Sequence, residues 1–244
     1  MRAILTYHSI DPSGSPISID DATFRRHVRW LASGQVRVVP LDELPRLPTD
    51  ANAVALTFDD GFANFASLAT PLLLDHGLPV MLFVVTARVG STNEWGGRAA
   101  PDVPTLPLLD WDALGRLAGR GVTLGAHGRH HRRLAAATDT EVVDEACGSA
   151  ADLEARTGTR PTAFAYPYGS VSAAAAKCVR ANFRWGCTTE LRPLGAAERP
   201  ELLPRIDAYY LRAPGRLESW GTARFSRYLR LRSLARRVRR VVSR

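Results

Sequence analysis

Seven short apolar runs, most of them followed by a segment with helical spacing, constrain what this 244-residue chain can fold into. Repeated alternation of strand and helix favours parallel strands with their helices on the outside. The pattern therefore predicts an α/β fold, an incomplete (β/α) barrel of about seven parallel strands with outer helices. The predicted strands are residues 3–7, 54–58, 80–85, 122–125, 164–166, 185–189 and 202–209.

The predicted helices lie between these runs. In the first, Asp20 or Asp21 can cap the N-terminus, and Phe24, Val28 and Leu31 recur at the spacing of one helical face. The length of the chain suits one large domain better than two small ones. The other predicted helices are residues 62–74, 111–117, 140–156 and 172–182.

The segment LTFDDGF, residues 56–62, ends a predicted strand with two adjacent carboxylates, Asp59 and Asp60. In barrels of this kind, chemistry lies at the C-terminal ends of the strands. Neighbouring carboxylates repel each other unless a cation lies beside them. A metal ion would meet that need, because one carboxylate can bind it while the other remains free as a base. A plain turn is the alternative, since Asp-Asp-Gly is common in turns.

The segment LGAHGRHHRRL, residues 124–134, also follows a short apolar run. His127 and His131 are four residues apart, so a helical turn would place both imidazoles on one side. Two histidines and one carboxylate leave open positions on a metal ion for water. His130 is an alternative partner, and surface histidines within a basic cluster are the alternative interpretation. The occurrence of this segment together with the paired carboxylates favours a metal site.

Three weaker signals also stand at strand ends. The segment FAYPYGS, residues 164–170, predicts a sharp loop that can present backbone N–H groups to a substrate oxygen, or else an ordinary corner. His8 follows the first predicted strand and is either catalytic or structural. Arg205 lies in the last predicted strand, where a salt bridge with one of the two carboxylates is its simplest interpretation.

Residues 88–109 are rich in Gly, Pro and Thr and follow a predicted strand. A loop of this length in a compact domain is usually functional or mobile. We interpret it as a wall or lid of the site, with a disordered excursion as the alternative.

With these motifs in this order, the chain resembles the polysaccharide deacetylases with a NodB-homology domain, carbohydrate esterase family four. The resemblance runs from residue 5 to about residue 210 and rests on LTFDDGF, HGRHH, FAYPYG and the closing LPRID. It implies that the predicted barrel is distorted.

The resemblance also implies the roles of the site residues. One divalent metal ion, usually zinc, would be held by Asp60, His127 and His131. Asp59 would be the general base, and the backbone N–H of Tyr168 would help to bind the oxyanion. The same ligands also suit cobalt or nickel, so the ligand set does not identify the metal.

The chain departs from the family pattern at three places. Ala165 stands where many members carry an Arg that orients the base, and Arg205 is the candidate to replace it. Gly128 and Arg132 stand where Ser or Thr, and then Pro, usually occur. The late Leu-x-x-His that supplies the general acid is missing. Because some relatives with an N-terminal Tyr-His use that histidine instead, His8 is the candidate acid.

The net charge of +8 is concentrated at the end of the chain. Residues 224–244 contain nine Arg and no acidic residue, so the rest of the chain is close to neutral. We predict a catalytic barrel over residues 1–223 and a basic amphipathic tail over 224–244. Such a helix can lie on an anionic membrane surface or pack on the barrel with a solvated basic face. No recognition motif accompanies the charge, which argues against nucleic acid as a partner. The apolar positions of the tail are Tyr228, Leu231, Leu234, Val238 and Val241 or Val242.

The three cysteines form no C-x-x-C pair, and their number is odd, so we expect reduced thiols in the cytosol. The apolar run before Tyr7 is too short for the core of a signal peptide. No stretch approaches the ~18 apolar residues of a membrane span. We therefore expect a cytoplasmic protein, with a peripheral place at the inner membrane face if the tail binds lipid.

The predicted function is a metal-dependent hydrolase that cleaves the amide C–N bond of an N-acetylated amino sugar or glycan. A polymeric, a lipid-linked or a small N-acetylated sugar would each fit the sequence. Two alternatives remain open from the sequence: a small-molecule amidase on the same barrel, and a catalytically degenerate member that binds sugar without turnover.

Overall fold

The structure, a computed structural model, describes residues 1–98 and 100–242, without the side chains of residues 237 and 239–242. Within these residues the chain forms ten strands. They are β1 (Arg2–Tyr7), β2 (Ser9–Ile10), β3 (Ser18–Ile19), β4 (Arg37–Val38), β5 (Ala53–Phe58), β6 (Val80–Val84), β7 (Thr123–Ala126), β8 (Ala163–Ala165), β9 (Trp185–Cys187) and β10 (Ile206–Asp207).

The described residues also form seven α-helices. Phe65–Ala69 is a π-helical turn that continues into the second of them, and Asp144–Gly148 is another that joins the fourth to the fifth. The helices are α1 (Asp21–Leu31), α2 (Thr70–Asp75), α3 (Trp111–Gly119), α4 (Asp139–Val143), α5 (Ser149–Thr157), α6 (Ala173–Asn182) and α7 (Ala223–Val242).

Seven parallel strands form the main sheet, in the spatial order β10, β1, β5, β6, β7, β8, β9, with β4 paired to the start of β5. Within the described residues no ladder joins β9 to β10, so the sheet is an open half-barrel surrounded by helices. The predicted distorted and incomplete (β/α) barrel is confirmed. Each strand of such a sheet directs its C-terminal end to the same edge, which is where a site can be assembled.

Successive side chains of the central strands enter two separate cores, as the alternation along a strand requires. In β1, Leu5 and Tyr7 pack in the layer shared with the helices, whereas Ile4 lies in the smaller cluster inside the half-barrel. In β6, Leu82 packs in the layer shared with the helices, and Phe83 lies in the cluster inside the half-barrel. Because both faces are buried, these strands appear in the sequence as unbroken apolar runs.

The predicted strand at residues 202–209 is wrong over most of its length. Only Ile206–Asp207 pairs with β1, and 3₁₀ turns occupy Pro200–Leu202 and Ala208–Leu211. Pro204 has no N–H to donate to a ladder, which explains why the run is broken before β10.

The inner face of α7 packs on the barrel through Phe225 and Leu229, which are both buried. The predicted helical tail therefore forms, and its boundary with the barrel at residue 223 remains a prediction. Residues 243–244 of that tail, and the side chains of Val241 and Val242, lie outside the described residues. No helix in the described part of the chain combines the length and apolarity needed to cross a membrane.

Gly186 of β9 tests how closely the barrel backbone packs. A Cβ at this position would overlap the backbone carbonyl of Glu201, which has no room to move away. We expect Gly186→Ala to lower the free energy of unfolding by about 1–3 kcal/mol, because overpacking a buried site forces backbone shifts. Urea denaturation followed by circular dichroism measures the change.

The matched control is Gly115→Ala in α3. Nothing lies within 4 Å of a Cβ at Gly115, which is exposed on the helix. That substitution should stabilise the protein by about 0.5–1 kcal/mol, because alanine is the better helix former. Equal effects of the two substitutions would contradict the close packing described at Gly186.

Candidate active site and metal centre

The predicted site residues converge at the C-terminal edge of the sheet. Asp59 and Asp60 follow β5, His127 follows β7, Tyr168 follows β8 and His8 follows β1. They come from four different strands, so the fold and not the local sequence brings them together. Their shared position is the one that carries the chemistry in β/α barrels.

Asp60, His127 and His131 form a compact buried cluster. The Oδ1 atom of Asp60 lies 3.4 Å from Nε2 of His127 and 3.3 Å from Nε2 of His131. One ligand atom from each residue lies within 4.8 Å of the others. The two histidines do not share a helical turn, contrary to the prediction from their spacing. A loop bends them together instead, with left-handed backbone at Gly128 (φ 79°) and His131 (φ 59°).

These residues fit a divalent metal ion. Oδ1 of Asp60 is buried and has no hydrogen-bond partner among the described residues, although two imidazole nitrogens face it. A buried acceptor without a donor is costly, and a cation at this position removes that cost. The Nδ1 atom of His127 lies 2.7 Å from the carbonyl oxygen of Ala165, to which it donates. This bond leaves the lone pair of Nε2 free to coordinate.

Burial and charge act in opposite directions on the cluster. Burial lowers the pKa of His131 to about 3, which keeps its imidazole neutral, as a metal ligand requires. Burial also opposes the charged form of His127, but Asp59 and Asp60 outweigh it and raise the pKa of that imidazole. A proton and a metal ion therefore compete for His127. The pKa of Asp60 is lowered because its two histidine neighbours outweigh its burial.

Arg205 forms the predicted salt bridge, and its partner is Asp59. Nη1 and Nη2 of the guanidinium each donate to one carboxylate oxygen at 2.7 Å. Nε donates to the carbonyl oxygen of Thr188 at 2.9 Å, and Nη1 also reaches Oγ1 of Thr6 at 3.0 Å. Burial alone would raise the pKa of Asp59, but Arg205 and then His127 outweigh it and hold that pKa well below its ordinary value.

His8 also enters the site. Its Nε2 atom lies 3.8 Å from Oδ2 of Asp59, and 19% of its side chain is exposed. The metal cluster does not include it. His8 is therefore a partly exposed histidine next to the Asp59 carboxylate and outside the cluster of Asp60, His127 and His131.

The loop at residues 88–109 packs against the site. The centre of the Trp95 ring lies 4.3 Å from the centre of the His131 ring. The centre of the Tyr168 ring lies 4.5 Å from the same imidazole centre. Backbone bonds such as Leu109 N–H to the carbonyl of Gly61, at 2.8 Å, attach the loop to the barrel. Of this loop, Ala99 lies outside the described residues.

A cavity of about 590 Å³ opens beside this aromatic pair. Trp95, His131 and Tyr168 line it, and the guanidinium of Arg133 lies 4.0 Å from the centre of the Tyr168 ring. The mouth of the site thus has an aromatic wall next to the cluster of Asp60, His127 and His131. This placement of Trp95 agrees with the interpretation of residues 88–109 as a wall of the site.

Sequence reasoning missed Glu145, a buried carboxylate that supports the histidine loop. Both of its oxygens lie 3.1 Å from the backbone N of His130, and Oε1 lies 2.9 Å from Nδ1 of the same residue. A Cβ on Gly128 would come within 2.5 Å of Oε2, so the glycine makes room for this carboxylate. His130 is thereby held away from the Asp60 cluster and is not its third ligand.

A signal for Glu145 was present in the sequence. Val142, Ala146, Ser149 and Leu153 lie on the buried face of the helix that spans residues 139–157, and Glu145 interrupts that face. An acidic residue in such a stripe needs a partner inside the protein.

Three site residues have left-handed backbone although they are not glycine. They are Asp60 (φ 74°), His131 (φ 59°) and Tyr168 (φ 58°). Of the described residues, Asp102 is the one other non-glycine residue in this region of φ. Strain of this kind persists where the surrounding structure enforces it, and it concentrates at functional sites.

Solved structures with the same fold include a bacterial deacetylase and a second bacterial protein. The Streptococcus pyogenes deacetylase PplD, solved in complex with acetate, superposes with a TM-score of 0.70 at 22% identity, covering 84% of this chain and 91% of that one. IcaB from Ammonifex degensii superposes with a TM-score of 0.71 at 22% identity, covering 90% and 93% respectively. At this level of identity the likeness shows the fold.

Sequence comparison extends the likeness to the family. YxkH of Bacillus subtilis (strain 168), which is classed with the polysaccharide deacetylases, is 24% identical over 204 residues, 81% of this chain and 67% of that protein. The family model described as "Polysaccharide deacetylase" matches residues 46–183, more than half of the chain, and this range includes Asp60, His127 and His131. The chain therefore belongs to the polysaccharide deacetylase family, as its motifs predicted.

Proposed function

We propose that this protein is a metal-dependent N-deacetylase that hydrolyses the acetamide of an amino sugar or glycan. The observation that carries the proposal is the buried cluster of Asp60, His127 and His131 beside the Asp59–Arg205 ion pair. This arrangement separates three ligands from one free carboxylate, which is what metal-assisted hydrolysis needs. Zinc is the ion that we propose, because two imidazoles and one carboxylate with an open position for water are typical of catalytic zinc sites.

A divalent cation held by the cluster would supply Lewis-acid chemistry, polarising the acetyl carbonyl and making the attacking water more acidic. Asp59 accepts the proton of that water. Oδ2 is the oxygen that faces the cluster, 3.9 Å from Nε2 of His127. Because its lowered pKa makes Asp59 a weak base, it can take a proton only from water that is itself strongly acidified. Arg205 orients the base, in place of the Arg that many relatives carry at the position of Ala165.

The second half of the reaction needs a proton donor. As the C–N bond breaks, the departing amine takes a proton from Nε2 of His8, and the acetyl group leaves as acetate. The backbone N–H of Tyr168 donates to the oxyanion that forms on the carbonyl carbon. The left-handed backbone at Tyr168 turns the loop sharply at this point.

The mouth of the site supports a sugar as substrate. Trp95 and Tyr168 provide flat apolar surfaces at the cavity, and aromatic rings of this kind can pack against the apolar face of a pyranose. We place the reaction in the cytoplasm, in keeping with three free cysteines. The glycan is polymeric or lipid-linked, and the barrel of residues 1–223 carries the reaction.

Sugar binding without turnover is the second candidate, and the missing late histidine and Ala165 are the observations that favour it. Acetate release from N-acetylated amino sugars separates the candidates, because a binding-only protein releases none. Small aliphatic amides offered in parallel distinguish a general amidase from a sugar deacetylase. Metal analysis of the purified protein should find close to one equivalent of zinc.

Asp59→Asn tests the base. The substitution keeps the shape of the side chain but removes its ability to take a proton, so we expect acetate release to fall by about 10²–10⁴-fold. Zinc content should remain at the wild-type level, because Asp59 is not a ligand. Asp75→Asn, at an exposed position in α2, is the control. Near-normal activity of the zinc-loaded Asp59 variant would remove Asp59 from this role.

His8→Ala tests the acid. We expect kcat to fall by about 10²-fold or more, since general acid catalysis contributes on that scale, with little change in zinc content. A substrate whose leaving group needs no proton should lose much less activity. His76→Ala, at an exposed position after α2, is the control. An unchanged kcat in the His8 variant would assign the proton donor elsewhere.

Arg205→Lys tests the orientation of the base. Lysine keeps one positive charge but cannot donate to both oxygens of Asp59, so the pKa of that carboxyl should rise. The base must be ionised, and the acid limb of the kcat/KM profile should therefore move to higher pH. Arg199→Lys, at an exposed arginine paired with the buried Glu201, should leave the profile in place. Identical profiles for the two variants would show that the bidentate contact does not control the base.

A further inference from the structure

The outward face of α7 carries an apolar stripe that the barrel does not use. Leu231, Leu234 and Val238 are 61%, 59% and 56% exposed, and their spacing of three and four residues places them on one helix face. Among the described residues only two other large hydrophobic side chains are exposed, Val143 and Tyr168, and Tyr168 lines the site. The stripe is therefore the main exposed apolar surface outside the site.

The barrel contacts α7 on the face opposite the apolar stripe. Phe225 and Leu229 are buried, and the hydroxyl of Tyr228 donates to the carbonyl oxygen of Tyr210 at 2.6 Å. These contacts hold the first turns of α7 in place without the stripe. A helix that only packed on the barrel would need polar residues on its outer face.

Unpaired positive charge surrounds the stripe. Arg224, Arg227, Arg230 and Arg232 are exposed, and none has a carboxylate within 4 Å among the described residues. No acidic residue occurs in the sequence from 224 to 244. Two such helices from different copies would repel each other, and nucleic acid would leave the apolar stripe uncovered. An anionic lipid surface satisfies both features at once.

We propose that α7 lies flat on a bilayer of anionic phospholipid. Leu231, Leu234 and Val238 enter the boundary between headgroups and acyl chains, and the arginines alongside contact the phosphates. None of Leu231, Leu234 and Val238 belongs to the candidate site, and the proposal does not depend on the proposed reaction. The helix would hold the protein at a membrane surface.

Vesicle sedimentation with the full-length protein tests the proposal. We expect binding to vesicles of phosphatidylcholine mixed with phosphatidylglycerol, little binding to pure phosphatidylcholine, and weakening at high salt because the charges are screened. Replacing Leu231, Leu234 and Val238 together by Ser should weaken binding at least about tenfold, since each buried side chain contributes separately. The control is Val143→Ser, which removes an exposed apolar side chain from α4. This variant should bind the vesicles as strongly as the wild type.

A second pair of variants tests the charge. Arg227→Gln with Arg230→Gln should reduce binding and its salt dependence, whereas Arg116→Gln, on the exposed face of α3, should not. Circular dichroism of each variant checks that it is folded. Equal binding by the triple Ser variant and the wild type would overturn the proposal. The proposal would also be overturned if the wild type bound vesicles with and without phosphatidylglycerol equally and formed dimers that the triple Ser variant does not form.

Discussion

Arg205 and Asp59 face each other inside the mouth of the half-barrel, and both are buried. Removing two charges from water is expensive, and the cost is offset only when geometry and additional hydrogen bonds are good. Here the guanidinium also bonds Thr188 beyond β9 and Thr6 in β1. The ion pair therefore links β5 to both sides of the opening where the sheet fails to close. Only two residues of β10 pair with β1, so few backbone hydrogen bonds hold this strand in the sheet.

The same contact organises the chemistry. With both oxygens of Asp59 engaged, its neighbour Asp60 turns away into a left-handed conformation and faces the two histidines. Adjacent residues thus acquire different surroundings, Asp59 beside a fixed guanidinium and Asp60 beside two imidazoles. Two carboxylates of one motif can then take different roles, because environment and not residue type sets their proton affinity.

The fold and the clustering of Asp60, His127 and His131 could be predicted because each depends on a strong local signal. Strands buried on both faces produce apolar runs, and the triad follows directly after two of them. The salt bridge of Arg205 could be predicted because the paired carboxylates needed a nearby cation. The loop geometry of His127 and His131 could not, since spacing alone does not distinguish a helical turn from a bend at Gly128. Glu145 was missed because its partner is a backbone N–H fifteen residues away.

The left-handed backbone at Asp60, His131 and Tyr168 implies a conflict between stability and chemistry. Glycine adopts this conformation without steric cost, so replacing any of the three would relieve backbone strain while deleting a functional group. Backbone strain taken by itself would then favour glycine at these positions. Chains that keep the larger residues there, against that preference, are those in which the site is still in use.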